Sequence, residues 1–247
     1  MYPIGRQTWI SRQTMCDVPA GSSMTLSLSA CTEDEYMCQS GDCVPRDANC
    51  DLQDDCSDLS DEDNCYVVKI PSYYRKNKPP KNSDNSLPLV IHPKISIKRI
   101  ANVEDISEAV SMELTITQIW NDSRLTFTNI LDEKALNELL QSEASGIWQP
   151  QIIFGNDINK QVRLEVSTLQ VEKTGPALPP DYNDVYMDSK YNGSAGQLYK
   201  TGLYDGTFHC PLDVFFYPFD VQWCTVVIES DVEKRLIVFG EPSVEYL

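Results

Sequence analysis

Six of the nine cysteines lie between Cys31 and Cys65, and this cluster constrains the fold more than any other feature of the sequence. Their spacing is C-x6-C-x4-C-x6-C-x5-C-x8-C. A segment of this length buries too little apolar surface to fold alone. Disulfide bonds or a bound metal must therefore stabilise it. The segment also carries twelve acidic residues and a single basic one, Arg46. Cysteines at this density indicate an oxidising compartment.

The acidic residues of the cluster favour calcium over zinc. Zinc sites prefer C-x-x-C pairs, and none occurs in this segment. Calcium binds carboxylate and carbonyl oxygens. Asp51 and Glu62 have the spacing of the first and twelfth positions of an EF-hand loop, but the sixth, which requires glycine, is Cys56. A solvated acidic surface without a metal is the remaining alternative.

The stretches "EYMC", "SGDCVP" and "CDLQDDCSDLSDEDNC" resemble a low-density-lipoprotein receptor class A repeat over residues 31–65. The resemblance implies a small apolar core around Tyr36 and Val44. It implies the disulfide bonds Cys31–Cys43, Cys38–Cys56 and Cys50–Cys65. It also implies one calcium ion, held by side chains of Asp51, Asp55, Asp61 and Glu62 and by the backbone carbonyls of Ala48 and Gln53.

The resemblance leaves two roles open for this module, a spacer or an interaction site. In the family, an aromatic residue two positions before the fourth cysteine often helps to bind a partner's lysine. That position is Ala48 in this chain. A calcium-stabilised spacer is therefore favoured.

Composition and charge restrict the partners and the location. The net charge of -17 argues against nucleic acid, because phosphate binding requires a basic surface. The glycosylation sequons at Asn121 and Asn192 fit an extracellular setting. We recognise neither a signal peptide nor a membrane-spanning run of about 18 apolar residues. We therefore expect a fragment of a longer protein, in which Cys16 pairs upstream or with another chain.

The remaining sequence divides into three regions. Residues 1–30 are predicted to be the tail of a possible preceding extracellular domain, and residues 66–89 an exposed linker rich in proline and basic residues. From residue 90 to 247, alternating apolar residues predict strands, with Ile95 and Ile97 in one, Leu114 and Ile116 in a second, and Val162, Leu164 and Val166 on one face of a third. The pattern predicts an all-β, Ig-like antiparallel sandwich, incomplete at its C-terminal end. One short helix is expected within residues 131–141.

The segment "CPLDVFFYPFDVQWC" at residues 210–224 carries the second informative pattern. A Cys210–Cys224 disulfide bond closing such a loop contributes about 3 kcal/mol in the chain-entropy model. The loop resembles the signature of Cys-loop, pentameric ligand-gated ion channels, C-x-x-D-x-x-x-x-P-x-D-x-Q-x-C. The resemblance implies that this loop couples ligand binding to the pore, through Asp213, Tyr217, Pro218, Phe219 and Asp220.

Two further motifs extend the resemblance over residues 90–247. "WNDSRLTF" is similar to the family's W-x-D-x-R-L strand through Trp120, Asp122 and Arg124, and "IWQPQIIFGN" to its W-x-P-D segment through Trp148 and Pro150. Family members bind agonist between subunits, commonly within aromatic rings that hold a cation. Counting from the motifs places Thr115, Gly155 and Asp231 at positions that often carry these rings. We therefore expect a ligand unlike acetylcholine, or a subunit without a normal principal face.

The favoured interpretation is the extracellular part of a plasma-membrane channel subunit that forms pentamers with like or related subunits and binds a small-molecule agonist. A soluble secreted binding protein with the same sandwich, without a pore, is the alternative. The motif Phe219-Asp220 favours the channel, because a soluble protein has no membrane domain to contact. An enzyme is not expected: neither His92 nor His209 lies in a recognisable nucleophile or metal motif.

Overall fold

The computed structural model describes residues 4–15, 17–32, 34–82, 86–181, 184–186, 188–213, 215–216 and 219–245. Cys16, Tyr217 and Pro218 lie outside the described residues. The first strands are β1 (Gly5–Ile10), β2 (Ser23–Leu28), β3 (Glu35–Met37), β4 (Cys43–Pro45), β5 (Val68–Lys69), β6 (Leu89–Glu104), β7 (Ala109–Trp120) and β8 (Thr126–Thr128). They are followed by helix α1 (Gln141–Gly146) and the strands β9 (Ile152–Phe154), β10 (Arg163–Lys173), β11 (Lys190–Asn192), β12 (Gly196–His209), β13 (Ile228–Ser230), β14 (Ile237–Phe239) and β15 (Ser243–Glu245).

The largest sheet has the strand order β10-β12-β7-β6-β14, and β15 also pairs with β6. The ladders β10–β12, β12–β7 and β7–β6 are antiparallel, as the alternating sequence predicts, whereas β14 and β15 run parallel to β6. Two smaller sheets, β11-β8-β5 and β13-β9, complete the sandwich. The all-β sandwich expected from the sequence is therefore confirmed.

Two apolar clusters fill the sandwich. One contains Trp120, Phe127, Trp148 and Leu198, and the other contains Leu114, Ile116, Tyr204, Phe208 and Cys210. Strand β7 contributes to both because its even-numbered residues from 110 to 120 are all buried. β-Branched and other apolar residues at every second position favour this half-buried strand.

The prediction that Val162, Leu164 and Val166 share the buried face of β10 fails at Val166. Val162 packs against the core and Leu164 pairs in register with the buried Tyr204, whereas Val166 is 58% exposed and Leu169 and Val171 are buried. A register shift between Leu164 and Val166 explains the change, because one extra residue moves the following side chains to the opposite face. The helix expected within residues 131–141 is also displaced: a short 3-10 turn occupies Lys134–Asn137, and α1 begins only at Gln141.

The segment predicted to be an exposed linker, residues 66–89, is exposed over most of its described residues, but its first residues belong to the sandwich. Strand β5 pairs with β8, and Val67 and Val68 are buried in the sandwich core. Tyr74 also packs against that core. In the sequence, the adjacent Val67 and Val68 indicate this burial. The prolines and basic residues that follow them led to the prediction of an exposed linker.

The N-terminal strands β1 and β2 form an antiparallel hairpin with each other. The hairpin contacts the cysteine-rich module, where the Arg6 amide donates to the Gln39 carbonyl at 3.1 Å. Gly5 has φ +95° and lies so close to Gln39 that a Cβ would come within 2.5 Å of its carbonyl oxygen. The hairpin also contacts the sandwich, because Ser27 Oγ donates to the Val185 carbonyl at 2.8 Å.

Within the described residues, no helix has the length and apolar character needed to cross a membrane.

Candidate functional site

The W-x-D-x-R-L motif builds a buried polar cluster at the end of β7. Asp122 is fully buried, and its carboxylate accepts bonds from Arg124 Nε at 2.8 Å and Nη2 at 2.6 Å. The Tyr74 hydroxyl donates to Asp122 Oδ2 at 2.8 Å and accepts the Trp148 amide at 2.9 Å. Burial, followed by the neighbouring Asp122 carboxylate, raises the pKa of Tyr74. The phenol therefore stays protonated and donates to Asp122.

This cluster joins the two motif segments and the segment predicted to be a linker. The rings of Trp120 and Trp148 meet edge to face with centroids 5.9 Å apart. The Arg124 guanidinium lies 4.5 Å from the centre of the Tyr74 ring. Reasoning from the sequence missed Tyr74, whose only signal is the "YY" pair at residues 73–74.

The cysteine-rich module contains the three disulfide bonds that the resemblance implies, Cys31–Cys43, Cys38–Cys56 and Cys50–Cys65. Tyr36, Val44 and Ala48 pack with Cys38 and Cys56 in its small core. Asp58 lies close to the sulfur atoms of Cys38 and Cys56, but these atoms are bonded to each other and offer no thiolate to a metal.

The proposed calcium ligands lie within one continuous loop. Asp61 Oδ2 accepts the backbone amides of Asp55 at 2.7 Å and Cys56 at 3.1 Å. Glu62 Oε1 accepts the Leu52 amide at 3.0 Å, and Asp51 Oδ1 accepts the Gln53 amide at 2.9 Å. These bonds fold the loop so that several carboxylates approach one another. Burial, with the charges of Asp51 and Asp61 nearby, raises the pKa of Glu62.

The donor set of this loop fits a hard cation. Asp61 is fully buried, and its Oδ1 has no hydrogen-bond partner among the described residues. A buried carboxylate oxygen without a partner carries a large desolvation cost. A calcium ion bound by this oxygen and the neighbouring carboxylates would offset that cost.

The loop from Cys210 to Cys224 is closed by a disulfide bond, with Cα atoms 5.1 Å apart and Cys210 fully buried. Gln222 braces the interior of the loop: its Nε2 donates to the Asp213 carbonyl at 2.6 Å and to the Asp220 carboxylate. Gln222 Oε1 accepts the Asp213 amide at 3.1 Å. Asp213 and Asp220 therefore shape the loop, while Tyr217 and Pro218 lie outside the described residues.

The outer side of this loop is strongly apolar. Phe219 is 92% exposed and Trp223 is 87% exposed, and Phe215 and Phe216 stack edge to face beside them. The neighbouring β6–β7 turn carries Ile106, which is 97% exposed. This turn is fixed to the loop because the Cys210 amide donates to the Glu108 carbonyl at 2.7 Å. One end of the sandwich thus presents aromatic and aliphatic side chains together.

The three positions counted from the family motifs do not meet in one place. Thr115 lies in the middle of β7, half-buried between Ser96 of β6 and Leu203 of β12. Gly155 and Asp231 lie at opposite ends of the β9–β13 ladder. A Cβ at Gly155 would come within 2.9 Å of Val227 Cγ1, so a side chain at this position requires Val227 to shift.

The two sequons differ in accessibility. The Asn121 amide nitrogen donates to the Gly196 carbonyl at 2.8 Å and is half-buried. Asn192 is exposed, and its Oδ1 accepts the amide and hydroxyl of Ser194.

Comparison with known families matches both parts of the chain. Residues 65–235 match the neurotransmitter-gated ion-channel ligand binding domain, and residues 29–65 match the low-density lipoprotein receptor domain class A. Both resemblances expected from the sequence are confirmed. The first match begins before β5, in accordance with the burial of Val67 and Val68 in the sandwich core.

Similar proteins include the neuronal acetylcholine receptor subunit alpha-6 of Homo sapiens, which is 26% identical over 193 residues, or 75% of this chain and 33% of the relative. The glutamate-gated chloride channel of Drosophila melanogaster is 26% identical over 164 residues, or 66% of this chain and 32% of that channel. The chain thus spans about a third of the length of these relatives. Because the matched family is that of neurotransmitter-gated ion channels and the relatives are a receptor subunit and a gated chloride channel, the expectation that the chain is not an enzyme is confirmed. The chain belongs to the neurotransmitter-gated ion-channel ligand-binding-domain family and carries a low-density-lipoprotein receptor class A module at its N-terminal side.

Proposed function

We propose that this chain is the extracellular portion of a pentameric ligand-gated ion channel subunit at the plasma membrane. It assembles with like or related subunits and binds a small-molecule agonist. The loop from Cys210 to Cys224 couples agonist binding to opening of the pore. The names of the relatives, a receptor subunit and a gated chloride channel, support this class of function.

The observation that carries the proposal is the apolar surface of the disulfide-closed loop. Side chains as large as Phe219 and Trp223 are seldom left almost fully exposed together unless another surface covers them. The Gln222 bonds to Asp213 and Asp220 hold the loop in shape, so a contact with a membrane domain is transmitted to the sandwich through the buried Cys210. The adjacent Ile106 enlarges the same contact surface.

We propose that the class A module binds calcium and serves as a rigid spacer. Side chains of Asp51, Asp55, Asp61 and Glu62 would hold the ion, together with the carbonyls of Ala48 and Gln53. The unpaired, buried Oδ1 of Asp61 supports this set. The ion would neutralise the crowded carboxylates and fix the loop between the second and third disulfide bonds.

The agonist is proposed to differ from acetylcholine. A cationic agonist gains from aromatic faces, whereas Thr115, Gly155 and Asp231 provide none at the counted positions. The contact between Gly155 and Val227 leaves no space for a ring to be added without displacing Val227. Glycosylation is proposed at the exposed Asn192 in preference to the half-buried Asn121.

Electrophysiology of the complete gene product tests this proposal. The protein is expressed alone and with related subunits, and currents are recorded while acetylcholine and glutamate are applied separately at millimolar concentration. The proposal predicts a ligand-gated current that acetylcholine does not evoke. Release of the whole product into the medium, with no membrane-bound fraction, would instead establish the soluble binding protein. A current evoked by acetylcholine would contradict only the proposal about the agonist.

A further inference from the structure

A partly buried lysine on the inner face of β12 has no carboxylate partner among the described residues. Lys200 of β12 faces the same side as Leu198 and Tyr204, which are buried. Its Nζ donates to the Pro150 carbonyl at 3.0 Å, the one hydrogen bond that the described part of the chain gives it. Burial lowers the pKa of Lys200. An ammonium group has three donors, so this one retains bonding capacity inside the protein.

A second unsatisfied donor lies beside it. Gln118 is the register partner of Lys200 on β7 and is only 1% exposed. Its Nε2 is buried and has no hydrogen-bond partner among the described residues. Lys200, and not Gln118, borders the neighbouring cavity. Its partly buried cationic group favours a ligand that supplies acceptor oxygens and negative charge.

Lys200 borders a cavity of about 520 Å³ between β9 and the β10–β12 pair. This size lies within the range of small-molecule sites. Phe154 and Tyr204 form an aromatic wall with ring centroids 5.5 Å apart, and Ile152, Val162 and Leu164 add aliphatic surface. None of the three counted agonist positions lines this cavity.

Among the described residues, Asp157 is the one carboxylate in the cavity wall, and it has other partners. Its two oxygens accept the backbone amides of Gln161 at 3.2 Å and Val162 at 3.1 Å, which fixes the turn before β10. Among the described residues it forms no ion pair with Lys200. The cationic end of the cavity is therefore left for a ligand, while Lys160 adds a second positive charge at the rim.

We propose that this cavity is a second binding site, within one subunit, for a small monocarboxylate with an aromatic or aliphatic body. The carboxylate accepts from Lys200, and the body packs against Phe154 and Tyr204. The site goes beyond the proposed function, since it lies within the sandwich and does not depend on pentamer assembly.

Binding of phenylacetate to the complete chain, produced with its disulfide bonds, tests the proposal by titration calorimetry. The neutral probe is 2-phenylethanol, which keeps the ring and replaces the carboxylate by a hydroxyl. The proposal predicts that phenylacetate binds at least about tenfold more tightly than 2-phenylethanol. This comparison uses the unmodified protein and is independent of the folding of any variant.

Variants locate the site. Lys200→Met should weaken phenylacetate binding about tenfold or more and leave 2-phenylethanol binding unchanged. Lys98→Met, at an exposed lysine on β6, is the matched control and should bind phenylacetate like the unmodified protein. Equal affinity of the two probes, no binding of phenylacetate at millimolar concentration, or undiminished binding to folded Lys200→Met would overturn the proposal.

Discussion

The carboxylate of Asp122 forms two hydrogen bonds with the guanidinium of Arg124, at 2.8 and 2.6 Å, while Asp122 itself has no solvent exposure. Arg124 extends from this pair to the backbone carbonyl of Lys78 at 2.9 Å. The pair therefore ties the segment before β6 to the end of β7. An ion pair buried this deeply is costly to break, because the remaining partner keeps a desolvated charge.

Replacing Asp122 should destabilise the sandwich substantially. Asp122→Ala leaves Arg124 and the Tyr74 hydroxyl without their shared acceptor, and we expect a loss of about 3 kcal/mol in the free energy of unfolding. Urea unfolding followed by tryptophan fluorescence measures this change. Asp132→Ala is the matched control, because Asp132 pairs with Lys173 at the surface and should cost at most about 1 kcal/mol. Similar losses for the two variants would show that the buried pair has no special role.

Removal of calcium should loosen the class A module. With a chelator present, we expect faster proteolysis within residues 31–65, because the buried Asp61 carboxylate then lacks a counter-charge. Asp61→Asn should lower calcium affinity at least about tenfold, as measured by titration calorimetry.

The control for this prediction is Asp54→Asn, which changes an exposed acid in the same loop. It should bind calcium nearly as well as the unmodified protein. If chelation leaves the proteolysis pattern unchanged, or if both variants bind calcium normally, the assigned ligand set is wrong.

The exposed aromatic surface should matter for gating and not for folding. Phe219→Ser should change the free energy of unfolding of this chain by less than about 0.5 kcal/mol, because Phe219 is 92% exposed. In the complete channel, the same variant should reduce agonist-evoked current while surface expression is retained. Ile10→Ser, at a residue 70% exposed in the N-terminal hairpin, is the control and should leave the current unchanged. Normal gating by Phe219→Ser would argue against the coupling role.

The Cys210–Cys224 bond should stabilise the isolated chain. The double variant Cys210→Ala and Cys224→Ala should lose about 3 kcal/mol, since the bond closes a loop with a sequence separation of 14. Urea unfolding of the double variant and of the unmodified chain measures the loss in the free energy of unfolding. Mapping of unreduced peptides checks that the two cysteines are linked in the unmodified chain. Free thiols at both positions in the secreted protein would contradict the assignment.

Local motifs made the disulfide-rich module and the sandwich predictable from the sequence. The spacing of the cysteines and acids is contained within residues 31–65, and alternation along β7 is carried by consecutive residues. Features that depend on distant contacts were not predictable. Tyr74 reaches Asp122 across 48 residues, and nothing in the sequence around Tyr74 names that partner.

Two further features depend on backbone register. The shift between Leu164 and Val166 reverses the buried face of β10, although the apolar residues before and after it alternate regularly. Lys200 follows the buried Leu198 at a spacing of two, which places it on the inner face, yet a lysine in a strand normally signals the solvent face. The cavity beside Lys200 arises from the arrangement of three strands in space, so no sequence motif predicts it.

The number of subunits per particle tests the central claim most directly. We would purify the complete gene product from membranes in mild detergent, alone and with related subunits, and count the chains by native mass spectrometry. The account predicts particles of five chains, each carrying the sandwich described above. Particles of a single chain, recovered under conditions that keep a known pentameric receptor intact, would contradict it.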